Sequence, residues 1–243
     1  MKLIKFQAIF DSHGDMVDPA AEKAAREFCE HFRPTVRIHG GDAFDLRALR
    51  SGASKEEKGE SVKADIEAGC DLFGWFKPTV WIKGNHDERL YRHATECQDG
   101  NLKLLCRQLI DSIEDGLPNG CEVVPYGKRR GVWKWGGYKW VHGYSHGLHA
   151  VYKAAQVYGN VVMGHTHVPS GPVLPPRDDG SRGYGCGCLC RVDMDYNSSQ
   201  LNTIRQANGF LYGWLSGGRA VINHALPDDT GRWIFPTEFS DGR

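Results

Sequence analysis

The sequence predicts a mixed α/β fold, with parallel α/β character in its first half and closely spaced antiparallel strands in its second. Three observations carry this reading. Short apolar runs rich in β-branched and aromatic residues recur along the chain, each about four to eight residues long, the length of strands. Amphipathic stretches rich in Ala, Glu, Lys and Arg alternate with the early runs, as in βαβ units. After about Cys121 the alternation gives way to strands and turns in close succession.

The first run, Leu3 to Phe10, ends in DSHGD. A helix is expected over Pro19 to Phe32, because proline at a helix start gives up an N–H that has no partner there. The next run, Thr35 to Ile38, precedes HGGDAFD. Arg47 to Lys63, charged and rich in small residues, reads as a solvated loop and helix start, with a lid over a site as the sharper alternative. Helical stretches over Gly59 to Phe76 and Glu88 to Cys97 flank the run Thr79 to Ile82, which ends in KGNHDE. There Gly84 is expected to let the chain turn sharply off the strand.

In the second half, GVWKWGGYKWVHG reads as a hairpin about Gly136-Gly137. That register sets Trp133 opposite Trp140 and Trp135 opposite Tyr138 on one side. Packing between layers is the default for this aromatic face, and a stacking platform for a base is its functional alternative. Tyr138 to Val141 precedes HGYSHG, and Val161 to Met163 precedes GHTHVP. No linker or internal repeat divides residues 1–243, which are read as a single domain.

Composition bounds the function. Glycine makes up 30 of 243 residues, well above the usual share, which suits a fold with many tight turns. Thirty acidic and thirty basic side chains cancel. That balance speaks against coating nucleic acid by bulk charge and leaves room for a local basic patch. No apolar stretch is long enough for a membrane helix, and MKLIKFQAIFDSHGD lacks a signal-peptide core. Eight cysteines without a secretory signal read as reduced thiols, so an intracellular, cytoplasmic protein is expected.

The chemistry lies where the strands end. In open α/β sheets, ligands collect beyond the carboxyl ends of strands. Here five such ends carry Asp11 and His13; Asp42 and Asp45; Asn85 and His86; His142; and His165 and His167. Singly, each has a plain explanation as a turn or a satisfied core histidine. Five clusters of one chemistry at one kind of location are not explained by turns. Carboxylate and imidazole donors suit manganese, iron, zinc and related divalent ions. Asp42 could serve two ions through its two oxygens, and two ions about 3.5–4 Å apart clamp an in-line displacement.

The ordered set DSH, GGDAFD, GNHD, a strand-end HG and GHTH resembles the calcineurin-like metallophosphoesterases, over Asp11 to His167. The resemblance implies a four-layer αββα sandwich of two mixed β-sheets flanked by helices. It implies that Asp11, His13 and His167 hold one divalent ion, that Asn85, His142 and His165 hold a second, and that Asp42 bridges them. Manganese is the first choice, with iron, zinc, nickel or magnesium as alternatives. His86 would face the substrate phosphate as proton donor or transition-state stabiliser, with Asp45 holding its tautomer. A metal-bridging hydroxide would attack phosphorus. Asp87 and Glu88 would cap the following helix. His142 is preferred to His146 as ligand because it directly ends its strand, which leaves His146 to approach substrate.

Leu46 and Arg47 follow Asp45, which departs from the protein Ser/Thr phosphatase pattern. The expected activity is therefore a dinuclear metal-dependent phosphodiesterase or nuclease acting on nucleotide or nucleic-acid phosphoesters. A small-molecule phosphomonoesterase and a catalytically inactive metal-binding scaffold are the alternatives. Arg89, Arg47 and Arg50, beside the motifs, are candidates for touching a substrate phosphate. Lys128-Arg129-Arg130 reads as an exposed turn, with backbone-phosphate contact as the minor reading. CGCLC, Cys186 to Cys190, reads as small buried side chains on one strand face, similar to a strand of phage-borne members of that family.

Overall fold

The structure, a computed structural model, describes residues 3–175, 179–192, 205–233 and 235. Strands β1 (Lys5–Ile9), β2 (Val36–His39), β3 (Val80–Ile82) and β4 (Glu122–Val124) run parallel in one sheet. Strands β10 (Phe210–Ser216) and β11 (Arg219–Ala225) extend it antiparallel, giving the order β11-β10-β1-β2-β3-β4. The second sheet has the order β5-β6-β7-β9-β8. It is built from β5 (Trp133–Trp135), β6 (Tyr138–Val141), β7 (Val161–Met163), β8 (Ser170–Val173) and β9 (Gly183–Gly185).

Period-two alternation decides which face each side chain takes. Phe6 and Ala8 of β1 and Phe10 just after it point between the sheets, where they meet Trp140, Val162 and Cys186. Ile9 points the other way, into an outer core with helices α1 (Pro19–Phe32), α3 (Val62–Phe76), α4 (Asp87–Glu96) and α5 (Gly100–Gly116). Gln7, on that same outer side, donates to the Ala25 carbonyl at 2.9 Å. Likewise Val80 and Ile82 face the second sheet while Trp81 faces the helices. On the far side, Val141, Val161 and Met163 pack under α6 (Ala150–Tyr158). The four layers are thus helices, sheet, sheet and helix, the αββα sandwich of two mixed sheets expected from the sequence.

The helix starts follow side-chain chemistry. Asp18 accepts from the N–H groups of Ala20 and Ala21, and Pro19 opens α1. Ser54 and Glu57 close a capping box on the short helix α2 (Lys55–Lys58), and Ser61 caps α3. The expected loop over Arg47 to Lys63 therefore holds a 3-10 turn at Arg47–Leu49, α2, and the start of α3.

Several sequence expectations need correction. The second half is not purely antiparallel: β6, β7 and β9 run parallel, with α6 as the crossover between β6 and β7. Helices α5 and α6 were not anticipated. One expectation stands: the hairpin pairs Trp133 with Trp140 and Trp135 with Tyr138, and its tryptophans join Phe6 between the sheets. That aromatic face is interlayer packing, the default expected of it. Cys186 to Cys190 is no continuous strand: Cys188 and Cys190 make isolated bridges to Asn208 and Val17. All three cysteines are buried, and every cysteine of the chain is a free thiol. No helix among the described residues is long and apolar enough to cross a membrane.

Candidate metal centre

Both sheets present the carboxyl ends of their parallel strands to one edge, and the five polar clusters meet there. Backbone bonds fasten the loops together: Asp11 N–H to Gly41 O, His13 N–H to Asp42 O, and Gly164 N–H to His142 O, each at 2.9 Å. Among the described residues, Asp11, His13, Asp42, Leu46, His165 and His167 adopt the left-handed conformation, and two other non-glycine cases end helices. Such backbone costs about 1 kcal/mol or more per residue and persists where surrounding structure enforces it. Its concentration on the metal-ligand candidates marks where the fold accepts strain.

Two groups of donor atoms face inward. In one, His13 Nε2 lies 3.3 Å from His167 Nε2 and 3.9 Å from Asp42 Oδ2, and His167 Nε2 lies 3.7 Å from Asp11 Oδ1. In the other, His142 Nε2 lies 3.0 Å from Asn85 Oδ1, 3.1 Å from Asp42 Oδ2 and 3.2 Å from His165 Nδ1. Asp42 Oδ2 belongs to both groups. Its Oδ1 is occupied by the His86 N–H at 2.8 Å, and Asp11 Oδ2 by the His165 N–H at 2.9 Å. Each of these carboxylates therefore has one oxygen pinned by backbone and one turned into the site.

The arrangement fits divalent cations. Asp11 Oδ1 is buried without a hydrogen-bond partner, which costs about 1–3 kcal/mol unless something else satisfies it. The His142 ring donates from Nδ1 to the Gly40 carbonyl at 3.1 Å, so its neutral form turns the Nε2 lone pair toward three acceptors. A cation resolves that repulsion. The pKa directions report the same field. Burial would lower His142, but the Asp42 and Asp11 carboxylates push it up to about 9. Burial would raise Asp42, but the His142 and His86 charges hold it well below the usual carboxylate range. Burial and the neighbouring His142 hold His165 down to about 3.

Asp45 connects the two roles expected of this site. Its Oδ1 accepts from His13 Nδ1 at 2.8 Å and from His86 Nδ1 at 2.9 Å, while His86 Nδ1 also reaches the Asp45 carbonyl at 2.9 Å. Burial would raise this carboxyl, but the bonds from His13 and His86 hold it far below the ordinary range. Both imidazoles are thereby fixed with Nε2 toward the cleft.

The cleft holds about 730 Å³, and its lining includes Arg47, Arg50 and Arg89 as well as Leu148, Tyr152 and Val173. The arginines are already committed. Arg47 pairs with Asp15 at 2.7 Å and with Glu60 and Asp45; Arg50 pairs with Glu57; Arg89 donates to the Asp45 carbonyl at 2.8 Å. They brace the rim and the Asp45 loop, a structural task that competes with direct substrate contact. His146 also lies at the cleft, its Nε2 3.3 Å from His165 Nε2.

Two residues of GNHDE depart from expectation. Asp87 does not cap its helix: its carboxylate turns back to the N–H groups of Gly84 at 2.7 Å and Phe44 at 3.1 Å, stapling two site loops together. Gly84 is needed for close approach and not for a special turn, because a Cβ there would stand 2.1 Å from Asp42 Oδ1 and 2.4 Å from Asp42 N.

Other contributors were not singled out by the sequence. Asp65, on α3, accepts from the N–H groups of Asp45 and Leu46 and so sets the Asp45 loop. Cys190 Sγ lies 3.7 Å from His167 Nδ1, on the far side of that ring from the donor cluster. His39 stands in HGGDAFD but outside the donor set: its Nδ1 accepts from the Gly41 N–H at 3.3 Å, and its Nε2 donates to Ser12 Oγ at 3.0 Å.

Burial, opposed by the Asp11 and Asp42 charges, holds His39 down to about 3. Its pKa is thus lower folded than unfolded. The stability it contributes is present above about pH 6.5 and is lost as pH falls toward 3, by about 1.4 kcal/mol per unit. The Tm advantage of the wild type over His39→Gln should shrink steadily from pH 6.5 to pH 4. A gap that stays constant over that range contradicts a buried neutral His39.

No protein-family model matches the chain. No curated protein matches it either. Solved structures resemble its chain course. A metallophosphoesterase from Sphaerobacter thermophilus aligns with a TM-score of 0.48 at 14% identity, over 92% of this chain and 88% of that one. Vacuolar Protein Sorting 29 from Cryptosporidium parvum gives 0.47 at 14% identity, over 96% and 95%. The E. coli phosphoesterase Yfce gives 0.43 at 12% identity, over 96% and 97%. These likenesses concern the arrangement of elements and carry nothing about chemistry.

Proposed function

We propose that the chain is a dinuclear metal-dependent phosphoester hydrolase, acting as a phosphodiesterase or nuclease on nucleotide or nucleic-acid phosphoesters. The observation that carries this is the shared Asp42 Oδ2 between two inward-facing donor groups. Asp11, His13, His167 and Asp42 would hold one ion; Asp42, Asn85, His142 and His165 would hold the other, with manganese the first choice for both. Bound there, a pair of divalent ions supplies charge stabilisation to a phosphoryl group and activates water.

The protein's own groups do the rest. His86 stands beside the donor clusters with its Nδ1 held by Asp45, leaving Nε2 to meet a phosphate oxygen or to give a proton to the leaving group. The apolar wall at Leu148, Tyr152 and Val173 supports a substrate with a base or other flat group attached to its phosphate. The free thiols suit a reducing, intracellular setting.

The test compares bis(p-nitrophenyl) phosphate with p-nitrophenyl phosphate, with added Mn²⁺ and with chelator. Turnover that needs metal and favours the diester is expected, and His86→Ala should lower kcat about 10²-fold while leaving metal content intact. Preference for the monoester would move the assignment to a phosphomonoesterase. No turnover with Mn, Fe, Zn or Ni would leave a metal-binding scaffold.

A further inference from the structure

From Val123 to Arg177 the chain contains no aspartate or glutamate, while it carries seven lysines and arginines. At the chain's average frequency that stretch would hold about seven acidic residues. It comprises most of the second sheet and α6, so the neutral total charge conceals a one-sided molecule.

The structure gathers Lys128, Arg129, Arg130, Lys134, Lys139 and Lys153 on the outer side of that sheet and on α6. Lys134 and Lys139 are direct cross-strand partners on β5 and β6, a like-charge pairing that costs stability. The Lys139 ammonium is held by the Tyr158 carbonyl at 2.7 Å, at the end of α6. The Tyr158 hydroxyl in turn donates to the Lys128 carbonyl at 2.8 Å, which docks the exposed Lys128-Arg129-Arg130 turn on the helix. Lys153 stands exposed on α6 between that turn and the cleft. Among the described residues no carboxylate forms an ion pair with Lys128, Arg129, Arg130, Lys134 or Lys153.

This surface is continuous with the metal centre. Ala150, Val151 and Tyr152, the first turn of α6, line the cleft. The Tyr144 hydroxyl, two residues beyond His142, donates to the Gly127 carbonyl at 2.7 Å and fixes the near end of the basic turn. Nine helical residues span about 14 Å, the length of about four phosphates along one strand. We propose that the outer face of α6 and the Lys128–Arg130 turn bind the phosphodiester backbone of a nucleic-acid strand and lead it to the cleft. Cross-strand lysines without a carboxylate to neutralise them are costly in the free protein, and a polyanion lowers that cost.

The substrate class rests on the hydrolase reading, whereas the binding surface does not, and the experiment separates them. Fluorescein-labelled (dT)20 and a 20-base-pair duplex are titrated by anisotropy in EDTA over a range of NaCl concentrations. The wild type should bind with a log–log salt slope of about −3 on (dT)20, as expected for four to five phosphates. Lys128→Gln/Arg129→Gln/Arg130→Gln should weaken binding at least tenfold at low salt and flatten the slope by about 2. It should also turn over bis(p-nitrophenyl) phosphate as the wild type does. Lys134→Gln/Lys153→Gln, away from the turn, should weaken binding to an intermediate degree.

Equal affinity and slope in wild type and triple variant overturn the proposal. So does binding to phosphatidylglycerol vesicles with none to either oligonucleotide. Oligonucleotide binding without diester turnover removes the hydrolase reading and leaves the surface standing.

Discussion

Asp42→Asn is expected to lower phosphodiester turnover by about 10⁴-fold or more and to reduce bound manganese from two ions per chain to one or none. Asp42 Oδ2 faces both donor groups, and Oδ1 accepts the His86 N–H at 2.8 Å. In the variant, an amide oxygen that keeps the His86 bond turns an NH₂ group toward the donors, where a cation would meet a donor in place of an anion. The carboxylate donors of the two groups are Asp11 and Asp42, so half their negative charge is lost as well. Lewis-acid stabilisation contributes several kcal/mol to phosphoryl chemistry, and each 1.36 kcal/mol is a factor of ten in rate. The variant should fold, because asparagine tolerates the left-handed backbone found at Asp42, φ 49°. Added Mn²⁺ should raise the Tm of the wild type through linkage and leave that of the variant nearly unchanged. Retention of two ions with activity within tenfold of wild type would falsify the bridging role.

The residues that meet at the strand ends were legible in the sequence because carboxylates, imidazoles and an amide stand where apolar runs stop. Asp11, His13, Asp42, Asn85, His142, His165 and His167 could be read without knowing how the strands pair. The hairpin register was equally local, since Gly136-Gly137 sets it. What could not be read depends on segments distant in the chain. Arg47 looked available for substrate, yet Asp15 and Glu60 claim it from loops on either side. Gly84 looked like a turn residue, yet its lack of a Cβ is required by Asp42, which lies on another loop. Asp65 carries no motif, and its task appears only when α3 brings its carboxylate to the N–H groups of Asp45 and Leu46. α6 joins two strands read as neighbours in an antiparallel region, and with it the wall of the cleft escaped notice.

Asp45→Asn is expected to cost about 10³-fold in activity, and the two histidines it touches should suffer unequally. His86 Nδ1 has two acceptors, the Asp45 carboxylate and the Asp45 main-chain carbonyl, both at 2.9 Å. His13 Nδ1 donates to the carboxylate at 2.8 Å. With an amide in its place, His86 keeps its carbonyl partner and its orientation, while His13 faces a weaker acceptor or an opposing NH₂. The His13 ring is then free to turn its lone pair away from the donor group shared with Asp11 and His167. Loss of an outer partner of this kind lowers metal affinity or activity about 10–100-fold, and loss of the charged acceptor at His86 Nδ1, which weakens that ring as proton donor or phosphate partner without turning it, accounts for the remaining factor. Manganese titration should therefore show one weakened site and one nearly intact site. Excess Mn²⁺ should restore part of the activity of Asp45→Asn and none of that lost in His86→Ala. If both manganese sites weaken equally, Asp45 acts on the whole centre, and its selective hold on His13 is refuted.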